Sequence, residues 1–278
     1  MLSNSLAENI DKVNAEFWDE LCGSWLAVSL GIKEMTPDNL RRFDAAYFSL
    51  YPYLFEYFMN ESLKAKRVLE IGLGYGTLGQ ALVEKGCDYH GLDIAAGPVA
   101  MMLYRLSQFD GSRWNGKVQI GSVLNIPYRD STFDYVYSIG CLHHTGNIRR
   151  SVSEVSRVLR GDGKAIIMLY NRNSFRLLFQ VPIMRMVAML SNKIKGETPQ
   201  EKIRALYDTN MEGIAAPHTD FVTPYEARRL FKTFSRVKIE IRNFDGYSFR
   251  KRTIIKREKL LNNIARVLGL DLYIIAEK

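Results

Sequence analysis

One stretch of the 278-residue chain, Arg67 to Val83, constrains the fold more than any other. A β-rich apolar run, Arg67 to Ile71, leads directly into Gly72, Gly74 and Gly76, and a helical pattern follows. Glycine allows a tight turn and lets a ligand lie against bare backbone, while the first turn of the helix presents unpaired N–H groups. The stretch therefore predicts a strand, a ligand-binding loop and a helix in succession.

The glycine spacing alone leaves two classes of cofactor open. Gly74, Gly76 and Gly79 also satisfy the G-x-G-x-x-G pattern of dinucleotide-binding loops. Glu70, immediately before the loop, would repel a pyrophosphate but suits a ligand with an ammonium group. Asp93 ends the second predicted strand, where it can accept both ribose hydroxyls or, alternatively, cap the next helix. The two carboxylates favour S-adenosylmethionine over a nicotinamide cofactor.

From Arg67 onward, short β-rich runs alternate with amphipathic helices, and this alternation predicts an α/β fold. We expect a doubly wound, mostly parallel, Rossmann-like sheet with right-handed crossovers. The predicted strands are Arg67 to Ile71, Asp88 to Leu92, Lys117 to Gly121, Phe133 to Ile139, Gly163 to Leu169, Arg236 to Arg242 and Leu270 to Ala276.

Three further segments are predicted around this sheet. Residues 1–62 have helical spacing and form an N-terminal extension to the domain of residues 63–278. Within that domain, residues 171–222 form a lid whose amphipathic helix is kinked at Pro182, and residues 244–268 form a basic insertion. We find no Gly/Ser-rich linker that would separate independent domains.

The net charge of +8 is unevenly distributed. Met1 to Ile148 carries 12 basic and 17 acidic residues, whereas Arg149 to Lys278 carries 26 basic and 13 acidic. The basic half suggests an anionic substrate, a nucleic acid or a membrane surface, and a solvated basic face is the alternative. Neither a secretory signal nor a run of 18 apolar residues is present, so we expect a cytoplasmic protein. Its three widely spaced cysteines indicate neither disulfides nor a zinc site, and we expect no metal.

Several motifs together resemble the type 11 class I S-adenosylmethionine-dependent methyltransferases. They lie at Val68 to Thr77, Gly91 to Ile94, Ile126 to Tyr128, Phe133 to Ser138, Gly140 to Thr145 and Arg157 to Lys164. The flanks, Glu16 to Asp19 and Asp271 to Lys278, resemble stand-alone bacterial members that modify small molecules. The resemblance implies a seven-stranded sheet with its last strand antiparallel, and S-adenosyl-L-methionine as the cofactor.

The resemblance also implies contacts at the cofactor. The glycine loop holds it, Asp93 binds the ribose, and Ile94 packs against adenine. The family's usual Asp after the third strand is Ser122 here, and a hydroxyl is a weaker acceptor for the adenine amino group than a carboxylate. The predicted cofactor-binding residues are Glu70, Gly72, Leu73, Gly74, Gly76, Asp93, Ile94, Ser122, Val123, Ile139, Gly140 and Tyr51.

Two adjacent histidines are the predicted catalytic residues. His143 and His144 follow the fourth strand, at the edge where cofactor and substrate would meet. Imidazole suits a general base that takes a proton from a hydroxyl acceptor. The alternative is that one histidine packs against the cofactor or holds the loop. His218, Tyr170 and Tyr225 are predicted to contact substrate.

We therefore predict methyl transfer to an oxygen of a small metabolite, such as a sugar or a secondary metabolite. Nitrogen or carbon acceptors, and a lipid or quinone acceptor at a membrane surface, are the alternatives. A nucleic-acid substrate is disfavoured, because the basic clusters Arg250 to Arg252 and Lys256 to Lys259 lack interleaved aromatic residues. A non-catalytic cofactor-binding module is the remaining alternative.

Overall fold

The computed structural model describes residues 2–21, 24–59, 62–109, 114, 116–190, 198–245, 247–249 and 252–278. The predicted α/β sheet is confirmed. Its strands and those of a small hairpin are β1 Arg67–Ile71, β2 Asp88–Asp93, β3 Val118–Ile120, β4 Phe133–Ile139, β5 Leu159–Tyr170, β6 Arg236–Arg242, β7 Tyr247–Phe249, β8 Arg252–Ile255 and β9 Asp271–Glu277.

Helices flank both faces of the sheet and cover its carboxyl edge. They are α1 Leu2–Trp18, α2 Ser24–Ser29, α3 Pro37–Leu50, α4 Thr77–Glu84, α5 Ala96–Ser107, α6 Ile148–Val158, α7 Val181–Leu190, α8 Pro199–Ala205, α9 Pro224–Leu230, α10 Arg257–Leu261 and α11 Ala265–Leu268. Short 3-10 turns occupy Pro52–Tyr57, Val123–Asn125 and Leu142–His144.

The seven strands of the main sheet have the order β3-β2-β1-β4-β5-β9-β6. β1 pairs in parallel with β2 and β4, whereas β9 is antiparallel to both β5 and β6. The antiparallel last strand agrees with the expectation from the resemblance. The largest difference in a boundary is at β5, which begins at Leu159 rather than at Gly163, because Leu159 is fully buried and pairs with Phe133. The bounds of β2, β3 and β9 differ from the predicted ones by one residue at one or both ends.

The core lies on both faces of the sheet, since alternate residues of a strand point to opposite sides. On one face, Val68 packs in a cluster with Leu82 of α4 and Met102 of α5. On the other face, Leu69 belongs to a cluster that includes Val155 of α6. With both faces covered, the open positions for a ligand lie at the carboxyl edge.

The N-terminal helices pack over this carboxyl edge. Asn14 of α1 donates from Nδ2 to the backbone oxygen of His144 at 2.8 Å, and Asp19 accepts from the backbone N–H of Gly97 at 2.7 Å. Phe43 of α3 stacks on Tyr75 with ring centroids 4.1 Å apart. The extension is thus bound to the loops that follow β1, β2 and β4.

The predicted lid helix has an irregularity next to Pro182. A π-helical turn, Arg176–Gln180, runs directly into α7, so the helix is continuous through Pro182, whose missing N–H interrupts the helical hydrogen bonds there. The local irregularity is therefore the π-turn before Pro182. The apolar stripe of α7 is exposed, with Ile183 at 56% and Met189 at 69%.

The described part of the chain contains no helix that is both long and apolar enough to cross a membrane. Residues 191–197 of the predicted lid lie outside the described residues, as do residues 246 and 250–251 of the predicted basic insertion.

Candidate active site

A cavity lies at the carboxyl ends of β1, β2 and β4, and we call it the glycine-loop cavity. Backbone of the glycine loop, the end of β2 and the turn after β3 form its floor, and side chains of α1 and α3 form its roof. It is lined by Asp11, Asn14, Trp18, Phe43, Tyr47, Glu70, Ile71, Gly72, Leu73, Gly74, Tyr75, Thr77, Leu78, Leu92, Asp93, Ile94, Pro98, Gly121, Ser122, Val123, Ile139, Gly140, Cys141, His144 and Thr145.

The glycine loop has a conformation that favours glycine. Gly72 and Gly76 have φ of +82° and +71°, in the left-handed region. A Cβ atom on Gly72 would lie 2.5 Å from the Cβ of Cys141. The loop therefore brings bare backbone close to the segment after β4, and α4 begins directly behind it.

Glu70 is a buried carboxyl group at the end of β1. It accepts a hydrogen bond from the hydroxyl of Tyr89 at 2.5 Å. The pKa of Glu70 is raised to about 8, chiefly by burial; the charge of Asp93 contributes to the rise, and the Tyr89 hydrogen bond and the charge of Arg105 oppose it. A cationic ligand would stabilise the ionised form, so Glu70 is suited to receive one.

Asp93 holds the loops together and still borders the cavity. Its Oδ2 accepts from the backbone N–H of Leu73 at 2.7 Å, and its Oδ1 accepts from that of Ala95 at 3.0 Å. Burial raises the pKa of Asp93, and these backbone hydrogen bonds oppose the rise. Ala95, not Asp93, is the N-cap of α5, so the capping alternative considered from the sequence is wrong. Backbone N–H groups of Ile94 and Gly74 also hydrogen-bond to Asp93, whose side chain lines the cavity.

Asp11 supplies a carboxylate beside Ser122, at the β3 end of the cavity. Ser122 accepts from the backbone N–H of Leu124 at 3.1 Å, so its O–H is free to donate, and it makes a side-chain hydrogen bond with Asp11. Burial raises the pKa of Asp11. Asp11 is not among the site residues predicted from the sequence, because α1 carries no local motif that relates it to the turn after β3.

A second cavity, which we call the aromatic cavity, adjoins the first. The two share Trp18, Tyr47, Ile139 and Gly140 as a common wall. Its volume is about 350 Å³, within the range of small-molecule sites. It is lined by Phe17, Trp18, Glu20, Leu21, Ser24, Trp25, Leu26, Tyr47, Leu50, Tyr51, Ile139, Gly140, Met168, Tyr170, Tyr207, Asp208, Thr209, Asn210, Met211, Asn243, Asp271 and Tyr273.

The two histidines occupy different positions. His144 lines the glycine-loop cavity, and its Nε2 lies 3.6 Å from Oδ2 of Asp208, which lines the aromatic cavity. His143 is fully buried, lines neither cavity and packs against Tyr170, with ring centroids 4.0 Å apart and the ring planes tilted by 39°. Burial lowers the pKa of both histidines, and it lowers that of His143 most strongly.

The tautomer of His144 follows from its neighbours. Nδ1 lies 2.7 Å from the backbone oxygen of His218, which can only accept, so Nδ1 carries the hydrogen. Nε2 therefore keeps its lone pair and makes no hydrogen bond to any described residue. Asp208 accepts from the hydroxyl of Tyr170 at 2.9 Å. The result is a neutral imidazole with an available lone pair, next to a carboxylate.

A known protein family matches the part of the chain that contains the glycine loop. The model of the type 11 methyltransferase domain family matches residues 69–167. Residues 69–167 are a class I S-adenosylmethionine-dependent methyltransferase domain. The match covers β1 to β5 of the methyltransferase domain, and both the glycine loop and the histidine pair lie within it.

Curated relatives match this domain in part of their length. Phosphoethanolamine N-methyltransferase 2 of Caenorhabditis elegans is 30% identical over 106 residues, which are 38% of this chain and 24% of the relative. The ubiquinone biosynthesis O-methyltransferase of Pseudomonas aeruginosa is 28% identical over 119 residues, 43% of this chain and 50% of the relative. The matches thus span a quarter to a half of these relatives.

Solved structures show the same fold over most of the chain. A Thermotoga maritima protein described as a possible histamine N-methyltransferase superposes with a TM-score of 0.51 at 18% identity, covering 85% of this chain and 97% of that one. A Haemonchus contortus N-methyltransferase, in complex with phosphomonomethylethanolamine and S-adenosylhomocysteine, superposes with a TM-score of 0.51 at 16% identity. The superposition covers 83% of this chain and 52% of that one.

The chemistry of the glycine-loop cavity fits S-adenosylmethionine. Besides its carboxylate, the ligand has an ammonium group, a sulfonium, a ribose diol and an adenine amino group, and these four favour negative or accepting surroundings. The cavity presents three carboxylates, Asp11, Glu70 and Asp93, and no lysine or arginine among the described residues that line it. A dinucleotide, whose pyrophosphate is negatively charged, would meet like charge in this cavity.

The remaining residues that were predicted to belong to the site lie in several places. Tyr51 and Tyr170 line the aromatic cavity rather than the glycine-loop cavity, and Gly76 borders neither. His218 also lines neither; its Nε2 lies 3.1 Å from Oδ2 of Asp220. Tyr225 is 69% exposed on α9. The roles predicted for these residues stay predictions.

A metal ion could also be held beside the histidines. His143, His144 and Asp208 each offer one donor atom, and the three atoms lie within 4.8 Å of one another. Ligands of a tetrahedral zinc ion, with bonds of about 2.1 Å, lie about 3.4 Å apart. An ion would therefore have to draw these groups together, and the absence of a metal stays a prediction.

Proposed function

We propose that this protein transfers the methyl group of S-adenosylmethionine to an oxygen of a small metabolite held in the aromatic cavity, with His144 as the general base. The observation that carries the proposal is the position of His144. It lines the glycine-loop cavity while its Nε2 is 3.6 Å from Asp208 of the aromatic cavity. A proton acceptor therefore lies between the two cavities.

The cofactor's contacts follow from the carboxylates of the glycine-loop cavity. Glu70 receives the ammonium group, Asp93 the ribose hydroxyls, and Asp11 with Ser122 the adenine amino group. The order of the strands supports these contacts. Glu70 and Asp93 lie near the carboxyl ends of β1 and β2, and Ser122 lies just after β3, the next strand in the sheet. When bound, S-adenosylmethionine supplies a methyl carbon activated by the sulfonium.

His144 takes the acceptor's proton at Nε2. Its lowered pKa, caused by burial, leaves the ring neutral near pH 7 and ready to accept. The charge of Asp208 then stabilises the imidazolium that forms, and the His218 carbonyl fixes the ring through Nδ1. His143 has no access to either cavity, so its role is to support this arrangement through its contact with Tyr170.

Transfer to an amine nitrogen is the second candidate, and the charge of the aromatic cavity favours it. Its ionisable lining consists of Glu20, Asp208, Asp271 and tyrosines, and no described lysine or arginine lines it. Of the four similar proteins described above, three are named as N-methyltransferases, one of them as a possible one, and the fourth is named as an O-methyltransferase. The same His144 would remove the proton of an ammonium acceptor.

Peripheral contact with a membrane is a separate proposal, supported by the exposed apolar stripe of α7. A bilayer could bury Ile183, Met186 and Met189. Sedimentation with anionic liposomes at low and high salt tests it, and an absence of binding in both would refute it.

The acceptor can be found with methyl-labelled cofactor and a metabolite extract of the source cell, followed by mass spectrometry of the labelled product. With that acceptor, we expect His144→Asn to lower kcat about 100-fold or more, while S-adenosylhomocysteine binds as in wild type. His90→Gln, in the half of β2 that is remote from the cavities, is the matched control. A normal kcat for His144→Asn would show that His144 is not the general base.

A further inference from the structure

The aromatic cavity contains a carboxylate that the proposed base does not use. Asp271 is the first residue of β9 and is 1% exposed, yet it lines the cavity. Its Oδ2 accepts from Nδ2 of Asn243 at 3.0 Å. Its Oδ1 has no hydrogen-bond partner among the described residues. A buried carboxylate oxygen without a donor is costly, which indicates that a ligand supplies the donor.

The nearest cations do not provide that donor. Arg257 donates to the backbone oxygens of Phe244 and Leu50 and to the side chain of Asn243. Arg176 donates to the backbone oxygen of Leu206 and to Asp245. Both guanidinium groups exert a charge on Asp271 from outside the cavity. The unpaired oxygen is therefore open to a group that enters the cavity.

The surroundings of Asp271 favour a cationic group over a neutral one. The cavity has further carboxylates in Glu20 and Asp208, and aromatic side chains, including Tyr51, Tyr207 and Tyr273, form much of its wall. Carboxylates attract a cation, and aromatic faces add cation–π attraction when it is partly desolvated. An anionic substrate, one of the expectations from the sequence, would meet like charges here.

We infer that the Asp271 end of the aromatic cavity binds the ammonium group of the methyl acceptor, which makes that acceptor a small molecule bearing a basic amine. The inference rests on the proposed function, since it takes the aromatic cavity as the acceptor site. Asp271 anchors the substrate, and His144 meets the atom that is methylated. The anchored amine and the methylated atom can therefore be different groups of one molecule.

Binding of matched probes tests this without turnover. The protein is saturated with S-adenosylhomocysteine at pH 8.5 and titrated with phenethylamine or with 2-phenylethanol, which has a hydroxyl in place of the ammonium. We expect the amine to bind at least about tenfold more tightly, a difference of about 1.4 kcal/mol. Equal binding of the two probes by the wild-type protein would overturn the inference, even if every variant failed to fold.

A variant of Asp271 tests whether this residue causes the preference for the amine over the alcohol. We expect Asp271→Asn, which keeps the shape and removes the charge, to abolish the preference for the amine. Asp162 is an exposed carboxylate near the amino end of β5, whereas Asp271 pairs with the carboxyl end of that strand. Asp162→Asn should therefore leave the preference unchanged. A preference that persists in a folded Asp271→Asn protein would place the cation elsewhere and refute the assignment. Failure of the proposed function has a different signature, namely amine binding without any methylated product.

Discussion

Asp44 of α3 and Arg105 of α5 form a bidentate ion pair beneath the glycine loop. Nη1 of Arg105 donates to Oδ2 of Asp44 and Nη2 donates to Oδ1, both at 2.8 Å. The Arg105 side chain is fully buried and also donates to the backbone oxygen of Tyr75, while Thr77 donates to Asp44 at 2.6 Å. The N-terminal extension is thereby bonded to the loop that forms the floor of the cavity.

Removing one partner of this pair should destabilise the protein strongly. We expect Asp44→Ala to lower the free energy of unfolding by about 3 kcal/mol, because it leaves the Arg105 charge buried and unpaired. Asp38→Ala is the control on the same helix. Its pair with Arg41 is exposed, so the loss should stay below about 1 kcal/mol. Urea unfolding measures both, and equal losses would show that the buried pair has no special role.

Gly72 should be intolerant of a side chain. In Gly72→Ala the new Cβ has to displace Cys141 and occupies a left-handed φ of +82°, so we expect binding of S-adenosylhomocysteine to weaken by at least about tenfold. Gly213→Ala is matched in backbone conformation, with φ of +80°, but has open space around its Cβ. Calorimetric titration compares the two, and equal affinities would argue against close packing at the loop.

Cofactor affinity should depend on pH through Glu70. The pKa of Glu70 is raised to about 8, chiefly by burial, so the unliganded protein holds this carboxyl neutral below that pH. The ionised form attracts the ammonium group, and the affinity for S-adenosylhomocysteine should therefore rise as the pH increases from 6 to 8.5. Titrations across this range measure the slope.

The variant Glu70→Gln isolates that effect, because the ligand's own titration is the same for both proteins. We expect its affinity to be lower at pH 8.5 and its pH dependence to be shallower than in wild type. Identical slopes would remove Glu70 from ammonium binding. The stability linkage has the opposite sign: the raised pKa favours folding at low pH, and that contribution is lost as the pH rises through about 8.

Asp11 should recognise the adenine amino group. We expect the wild-type protein to bind S-adenosylhomocysteine about tenfold more tightly than its inosine analogue, in which an oxygen replaces the amino group. Asp11→Asn should reduce this preference, because an amide oxygen is a weaker acceptor than a carboxylate. The exposed Asp130→Asn serves as the control. If the preference is unchanged in Asp11→Asn, the contact with the adenine amino group is made by Ser122 and not by Asp11.

The sheet was predictable because its signals are local. The strand and glycine pattern from Arg67 to Gly76, and the alternation that follows, depend only on neighbouring residues and on the periods of helices and strands. β1, β4 and β6 have the predicted bounds, whereas β5 begins earlier because Leu159 pairs with Phe133 across the sheet. The outward orientation of the α7 stripe was not predictable, since an amphipathic pattern does not specify what covers it.

The fold class and the cofactor class could be predicted from local patterns, and so could the location of Glu70 and Asp93, because both lie where parallel strands end at one edge of the sheet. The fold was needed to show which histidine lines the glycine-loop cavity, that Asp11 lies beside Ser122, and that Asp208 and Asp271 line the aromatic cavity. Those relationships join segments far apart in the chain. They follow from packing between helices, loops and the sheet, which no local pattern encodes.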